Sequence, residues 1–337
     1  MRFQITSEHR PNAFGIDDRV IILADAENRL EIWPALGLNA YRWQVAGQEL
    51  LYRHPAFFTE RKPTRTGFPI LFPFPNRIRD GRFVWKGKAY QLPVNDPANK
   101  NAIHGFAVNR AWRIIDQSAG AEGASITGEF HGSKDAADTL ALWPADYRLR
   151  VTYRLFDHVL RVEAEVDNPD TKPLPFGLGY HPYFAVAPFG GVQAAITAGA
   201  QKYWELAQNL PTGRLLDVDP ARDLRAGREY ASLQLDDVLT DLNAFAYDAQ
   251  DGLGMIGVIR HPSQERLLTL WVTADFRNLV AFTPPHREAI CLEPYTCTTD
   301  AINLQAGGIE AGWRVLAPGE RWHGIVEMHL SQGQPQG

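Results

Sequence analysis

The sequence predicts an all-β fold, built as one large antiparallel, sandwich-like domain over residues 1–337. Apolar and polar residues alternate from residue 147 to 155 and again from 160 to 166. This period-two pattern is typical of two paired strands that each have one solvent-exposed face. The 23 prolines and 28 glycines are scattered along the chain, which favours short strands and turns over long helices. Because no low-complexity linker or clear internal repeat is present, a single domain is the predicted organisation.

Shorter patterns predict further elements in order along the chain. Apolar or alternating runs indicate three early strands, over residues 20–23, 30–33 and 41–45. Residues 80–90 are predicted to form a hairpin that turns at Lys86 and Gly87. Helix signals are sparse, and residues 135–142 are sufficient for a turn or two.

Composition excludes several classes of protein. The formal net charge is -5 and no basic block stands out, so nucleic-acid binding is not expected. No apolar run approaches the roughly 18 residues of a membrane span, and the N-terminus lacks the apolar segment of a secretory signal. The two cysteines, Cys291 and Cys297, form neither a disulfide framework nor a zinc-binding spacing, so buried, reduced thiols and a cytoplasmic location are predicted.

One carboxylate near the C-terminus, Glu293, is placed unusually. An apolar run over residues 290–292 leads to it, and Pro294 follows at once. Proline biases the preceding residue toward the extended region and cannot donate to a strand ladder. Glu293 is therefore predicted at the end of a buried strand, where the backbone leaves the sheet. Since an unpaired buried charge is costly, Glu293 is either a working group or the partner of an arginine at a sheet rim.

A histidine, His181, also stands directly before a proline. It follows Gly177 and Gly179, which permit close backbone approach or positive φ, and aromatic residues flank it. A histidine in such a place can act as general acid or base near neutral pH. The alternative is a core histidine within an aromatic cluster.

Three further stretches carry polar groups that can face the same cleft. Arg77 ends an apolar, proline-stiffened segment that can present its guanidinium, although an arginine pairing with a surface carboxylate is common. His104 precedes a glycine after turn-rich residues, which suggests a loop tip, although a lone histidine is more often structural. Adjacent carboxylates at Asp236 and Asp237 point in different directions on a strand, and Asp241 follows close by.

Together these stretches resemble the aldose 1-epimerase (galactose mutarotase) family. The matching segments occur in family order and span most of the chain: residues 76–78, 81–83, 104–105, 179–184, 293–296 and 300–304. The resemblance implies a galactose mutarotase-like β-supersandwich and a sugar epimerase without metal or other cofactor. By the same resemblance Glu293 is the general base and His181 the general acid. Arg77, His104 and Asp236 are then the substrate-binding residues, with Asp237 or Asp241 as alternatives to Asp236.

The resemblance also has a departure that bears on the substrate. Phe106 follows Gly105, where the family often has a second glycine. The sequence of residues 103–110 is thereby similar to that of the related hexose-6-phosphate 1-epimerases. A phosphate site needs at least two convergent cations or a helix N-terminus, and Arg110 is the foremost candidate for a second cation beside Arg77. Arg79 and Arg82 are further candidates. The free hexose is favoured, because residues 76–78 and 293–304 both resemble the mutarotase branch.

Two other functions stay open on the sequence. One is a non-catalytic carbohydrate-binding β-sandwich, which would need no matched acid and base. The other is a glycoside hydrolase or lyase, which would need a second carboxylate near the scissile bond, such as Asp236. The expected partner is a small-molecule sugar, and the expected assembly is a monomer or weak homodimer.

The proposed chemistry makes a demand on the histidine. Glu293 must be ionised and His181 protonated, and their ordinary pKa values are about 4.3 and 6.5. Activity near neutrality therefore requires a raised pKa for His181, which a neighbouring carboxylate would supply. Four aromatic residues are candidates to stack on the sugar: Trp85, Phe106, Tyr183 and Phe184.

Overall fold

The structure, a computed structural model, describes residues 2–332, and within them strands dominate. The strands of the first half are β1 Gln4–His9, β2 Arg19–Ala24, β3 Asn28–Trp33, β4 Asn39–Val45, β5 Gln48–Glu49, β6 Ile70–Leu71, β7 Arg77–Ile78, β8 Arg82–Trp85, β9 Lys88–Gln91, β10 Ala102–Ile103, β11 Arg113–Ala119, β12 Ala124–His131, β13 Arg148–Phe156 and β14 Val159–Asp167. Those of the second half are β15 Leu174–Phe176, β16 Gly179–Tyr180, β17 Phe184–Ala185, β18 Ala195–Ala198, β19 Ala200–Ala207, β20 Leu210–Asp217, β21 Arg228–Glu229, β22 Asp236–Leu242, β23 Tyr247–Asp248, β24 Leu253–Arg260, β25 Arg266–Thr273, β26 Asn278–Phe282, β27 Ala289–Tyr295, β28 Arg314–Leu316 and β29 Arg321–Gln332.

Helical structure in the described part is brief. The α-helices are α1 Gly132–Asp135 and α2 Ala301–Ala306, and 3₁₀ turns cover Pro63–Arg65, Arg79–Gly81, Ala107–Asn109, Ala137–Leu142, Ala187–Phe189, Gly191–Gln193 and Tyr230–Ser232. None of the helices in residues 2–332 has the length and apolar character needed to cross a membrane. The predicted all-β class is confirmed, while the prediction of one domain over residues 1–337 extends to Met1 and residues 333–337, which lie outside the described residues.

Two large antiparallel sheets form the body of the structure. The first has ten strands, in the order β11-β12-β13-β14-β29-β25-β24-β18-β21, with β23 beside β24. The second has eight strands, in the order β20-β19-β22-β26-β27-β16-β6, with β17 beside β27. A five-stranded sheet, β1 to β5, and the pairs β7–β10, β8–β9 and β15–β28 flank them. One continuous apolar cluster joins residues of both large sheets, as in a sandwich.

The two predicted hairpins are confirmed in their register. Strands β13 and β14 pair from Arg148 with Asp167 to Phe156 with Val159, and alternate residues are buried along both. Strands β8 and β9 pair around the turn at Lys86 and Gly87, which adopt positive φ values of 46° and 80°. The strands predicted over residues 20–23, 30–33 and 41–45 are also present, as β2, β3 and β4.

Candidate active site

Strand β27 separates core residues from site residues by simple alternation. Ile290 and Leu292 belong to the main core, and Leu292 approaches the ten-stranded sheet closely enough that a Cβ at Gly257 would lie 3.3 Å from its Cδ1. Cys291 belongs instead to a small separate cluster with Tyr183. Because successive side chains of a strand point to opposite faces, Glu293 shares the face of Cys291. The apolar run thus anchors the strand, and the intervening positions supply the site.

The prediction that the backbone leaves the sheet at Glu293 is wrong by two residues. Strand β27 continues to Tyr295, and Glu293, Pro294 and Tyr295 pair with residues of β26. The N–H of Thr296 donates to Leu178 O at 2.9 Å, so the nitrogen of Pro294, two residues earlier, points to the same side. That side of β27 faces β16, which pairs with β27 at one position, Gly179 with Tyr295. The N–H that Pro294 lacks is therefore not needed for the ladder with β26 on the other side.

The segment that carries His181 lies tightly against its neighbours. A Cβ at Gly179 would lie 2.4 Å from the Tyr295 ring and 2.7 Å from Pro75 Cβ, so this glycine serves close approach. The His181 N–H donates to Pro69 O at 3.0 Å. The proline-rich segment therefore fixes the backbone of the histidine beside the end of β27.

Glu293 and His181 face each other as a buried pair. His181 Nδ1 lies 3.4 Å from Glu293 Oε1, and the two residues are 8% and 1% exposed. Tyr295 OH donates to Glu293 Oε2 at 2.6 Å, which leaves Oε1 toward the histidine. The His181 ring stacks on Tyr183 at 4.7 Å, and Phe282 stands edge-on to it at 6.4 Å. Both partners are thus held in fixed orientations.

Arg77 and His104 are positioned by one small ladder. Strand β7 pairs Arg77 with Ile103 of β10, and the next N–H, that of His104, donates to Asn76 O at 2.8 Å. The Arg77 guanidinium donates to Asp96 Oδ2 at 2.7 Å and to Asn76 Oδ1 at 3.1 Å. The His104 ring lies 5.7 Å from the His181 ring, so the loop predicted to face a cleft does bring its histidine to the catalytic candidate.

Of the three candidate aspartates, Asp236 lies on the same sheet face as Glu293. Asp236 pairs with Phe282, which pairs with Cys291, so the three side chains share one face and form a row across the sheet. Asp237 points the other way and accepts a hydrogen bond from Arg222 at 2.7 Å. Asp241 lies beyond Thr240, the last residue of β22 that pairs with β26, and its φ of 55° interrupts the alternation. Asp236 is therefore the aspartate that the pairing places on the face of Glu293.

The charges of these groups act on one another. Burial raises the pKa of the Glu293 carboxyl well above its usual range, the Tyr295 hydrogen bond acts in the opposite direction, and the charges of Asp236 and Arg77 raise and lower it further. Burial also raises the pKa of Asp236, and the charge of Arg77 opposes the shift. Asp236 is exposed as a residue, although its carboxyl is surrounded closely enough for burial to raise its pKa.

The pKa of His181 is shifted opposite to the sequence-based prediction. Burial lowers it to about 3, although a carboxyl lies beside the ring as expected. The physical reason is that the same burial raises the pKa of Glu293, so the carboxyl offers little negative charge to stabilise an imidazolium. The pair therefore favours its neutral forms, with one proton held between the two groups over a wide pH range.

Comparison with known protein families identifies the family of this chain. A model of the aldose 1-epimerase family matches residues 34–329. The chain belongs to the aldose 1-epimerase family. The match includes all five predicted site residues: Arg77, His104, His181, Asp236 and Glu293.

Individual relatives of the family differ in how much of the chain they share. The uncharacterized protein YihR of Escherichia coli K12 is 26% identical over 247 residues, which cover 69% of this chain and 71% of the relative. The galactose mutarotase of Rattus norvegicus is 30% identical over 155 residues, 44% of this chain and 42% of the rat protein, so that match spans less than half of either. A crystal structure of a galactose mutarotase-like protein from Clostridium acetobutylicum has a TM-score of 0.87, covers 98% of this chain and 99% of that chain, and is 22% identical. This likeness confirms the predicted β-supersandwich fold.

Three contacts of the site were not predicted from the sequence. Tyr295 stands two residues after Glu293, and period two along β27 would have placed it on the same face. Phe282 becomes visible only through the pairing of β26 with β27. Asp96 has no sequence signal as the partner of Arg77, since its position depends on the loop between β9 and β10.

The aromatic candidates for sugar stacking are distributed differently from the prediction. Tyr183 does reach the site, where it stacks on His181. Phe106 and Phe184 belong to the main core, and Trp85 packs against that core. Phe282, which is half-buried beside His181, is a further aromatic side chain at the site.

Proposed function

We propose that the protein is an aldose 1-epimerase that interconverts the α and β anomers of a free hexose. One observation carries the proposal: the Glu293 carboxyl and the His181 imidazole lie 3.4 Å apart and are both buried. Family membership, the nearby Arg77, His104 and Asp236, and the mutarotase name of the rat relative support it.

The reaction needs two proton transfers and no net change in oxidation state. Burial favours the form in which the one proton of the pair lies on Glu293. Once that proton has passed to His181, 3.4 Å away, the Glu293 carboxylate accepts the proton of the C1 hydroxyl while the His181 imidazolium donates a proton to the ring oxygen. The bond between C1 and the ring oxygen breaks, and an open-chain aldehyde forms. After rotation about C1–C2 the two transfers reverse, and the ring closes on the other face. Positioned proton transfer typically contributes about 10²–10⁴-fold.

The remaining groups are suited to holding hydroxyls. Arg77 has two of its contacts fixed by Asp96 and Asn76, and a guanidinium carries five N–H donors, so donors remain for the sugar. His104 Nδ1 has no hydrogen-bond partner within the described residues, and Asp236 supplies an accessible acceptor. We assign these three residues to substrate binding.

Polarimetry tests the proposed activity directly. Freshly dissolved α-D-glucose and α-D-galactose are followed with and without the protein. We expect a faster approach to anomeric equilibrium with an unchanged endpoint and no release of reducing ends from oligosaccharides. A spontaneous rate that the protein leaves unaltered would contradict the proposal and favour a carbohydrate-binding module, whereas release of reducing ends would indicate a glycosidase.

The surroundings of Arg77 favour a free sugar over a phosphorylated one. Arg110 donates to both carboxyl oxygens of Asp138 at 2.8 and 2.7 Å. Arg79 pairs with Asp300 at 3.3 Å. The candidates for a second phosphate ligand are therefore engaged elsewhere or, like Arg82, exposed on β8.

We expect Arg110→Ala to leave the substrate preference unchanged. Because Arg110 is paired with Asp138, its loss should leave kcat/KM for glucose close to the wild-type value. Glucose 6-phosphate should be the poorer substrate in both proteins. Arg77→Ala is the comparison variant and should raise KM for glucose. A strong preference for the phosphate that collapses in Arg110→Ala would overturn the assignment of a free sugar.

The pH profile should be unusually wide on its acid side. As pH falls through about 3, His181 becomes protonated while Glu293 is already protonated, so no base remains in the pair. As pH rises through the raised pKa of Glu293, the pair loses its last proton, so no acid remains. We therefore expect a bell-shaped kcat/KM whose acid limb lies well below the ordinary histidine pKa of about 6.5. The measurement is initial mutarotation rate against pH, with return to neutral pH as the control for denaturation. An acid limb close to 6.5 would contradict this assignment.

A further inference from the structure

Cys291 lies on the site face of β27 and has no part in the proposed proton transfers. It is fully buried, and it clusters with Tyr183 beneath the half-buried Tyr52 and Phe282. One ligand atom each from His181, Cys291 and Glu293 lies within 4.8 Å of the others. A sulfur, a nitrogen and an oxygen thus converge on one small volume beside the reacting groups.

We propose that His181, Cys291 and Glu293 form a binding site for a thiophilic divalent cation such as Zn²⁺, and that the cation competes with the sugar. Zinc binds cysteine sulfur, histidine nitrogen and carboxylate oxygen at about 2.0–2.3 Å in tetrahedral geometry, which corresponds to ligand separations of about 3.3–3.6 Å. Movements of about 1 Å therefore complete three corners of the tetrahedron. The fourth corner is left for water or a sugar hydroxyl.

An unpartnered nitrogen supports the site independently. His181 Nδ1 is buried without a hydrogen-bond partner in the described residues, and it lies 3.4 Å from Glu293 Oε1. Buried polar atoms normally have partners, so this nitrogen is available as a ligand. On binding, the sulfur–metal bond replaces the S–H bond, and the thiol proton passes to the buffer together with the one proton that the Glu293–His181 pair holds.

The competition with sugar follows from the shared ligands. A cation held by His181 and Glu293 occupies the lone pairs that the proposed mechanism uses for proton transfer. Zn²⁺ should therefore inhibit mutarotation, and a high sugar concentration or a chelator should relieve the inhibition. This readout rests on the proposed function, whereas metal binding itself does not.

A binding measurement tests the site without reference to activity. CdCl₂, which supplies a softer ion of the same charge, is titrated into the wild type, and the ultraviolet thiolate-to-cadmium charge-transfer band is recorded. The matched variants are Cys291→Ala and Cys297→Ala, since both cysteines are fully buried and Cys297 lies outside the site. We expect one thiolate–cadmium band per chain in the wild type and in Cys297→Ala, and its loss in Cys291→Ala.

Inhibition by ZnCl₂ provides the second arm. Cys291→Ala should retain mutarotation in the absence of metal and should require more than about tenfold higher Zn²⁺ for equal inhibition, as loss of a ligand predicts. Absence of a cadmium band in the wild type, a band that survives in Cys291→Ala, or equal zinc inhibition in both proteins would overturn the site. A protein that shows the band but no mutarotation would keep the metal site and refute the proposed function. Should Cys291→Ala fail to fold, the wild type and Cys297→Ala still decide whether Cys291 binds the cation.

Discussion

Glu293→Gln is expected to lower the kcat of mutarotation by about 10²–10⁴-fold, because an amide cannot accept the C1 hydroxyl proton. The protein should stay folded, since the glutamine oxygen can still accept the hydrogen bond that Tyr295 OH donates. Replacing a buried ionisable group by a neutral one of the same shape also avoids a desolvation penalty. The measurement is polarimetry at saturating sugar, with the melting temperature recorded for the same sample.

Glu31→Gln is the matched control for that variant. Glu31 is 1% exposed, as Glu293 is, and it also accepts a hydrogen bond from a tyrosine hydroxyl, that of Tyr41. Its ion pairs with Arg29 at 2.7 Å and Arg42 at 2.9 Å are structural, in β3 of the five-stranded sheet. The control should therefore lose stability and keep kcat. Near-wild-type mutarotation by folded Glu293→Gln would remove Glu293 from the mechanism.

His181→Asn is expected to lower kcat by a similar factor of about 10²–10⁴, because the asparagine amide does not protonate the ring oxygen. The stack on Tyr183 is also lost, so a modest fall in stability should accompany the change. The low-pH limb of kcat/KM, which depends on the titration of His181, should disappear from the residual activity. Measuring kcat across pH separates this loss from a general weakening of the fold.

His131→Asn isolates the effect of simply removing a buried histidine. His131 and His181 are both 8% exposed, and His131 Nε2 lies 3.1 Å from Asp146 Oδ2 at the end of β12. Its replacement should lower the melting temperature and leave kcat and the pH profile as in the wild type. If His181→Asn kept near-wild-type kcat in the folded state, His181 would not be the proton donor.

Local patterns were enough to predict the elements that depend on neighbouring residues. The hairpin of β13 and β14 follows from period two and a short turn, so its register is fixed by residues within about twenty positions of one another. The same holds for the side-chain alternation of β27, which delivers Glu293 opposite to Leu292. Local patterns also singled out the site candidates, and the resemblance supplied their roles. The fold then brings the His104 ring to 5.7 Å from the His181 ring and places Asp236 on the sheet face of Glu293.

Long-range contacts limited the rest. Arg77 pairs with Asp96, and nothing in the residues between them specifies that hydrogen bond. The direction of the His181 pKa shift depends on how completely tertiary packing excludes water, which the sequence around the histidine does not reveal. The continuation of β27 through Pro294 likewise depends on how few pairs β16 makes with that edge. In each case the deciding partner is remote along the chain.

The burial of Glu293 and His181 has a consequence for the open-chain aldehyde that the proposed mechanism forms. Under the proposed mechanism ring opening neutralises both side chains, since the Glu293 carboxylate gains a proton and the His181 imidazolium loses one. Buried surroundings, which favour neutral side chains, therefore stabilise the complex that contains the open-chain sugar. Closure on either face must recreate the same separated charges, so the protein gives no advantage to one anomer. Under the proposed mechanism we expect the site instead to prolong the lifetime of the open chain, and with it the time available for rotation about C1–C2.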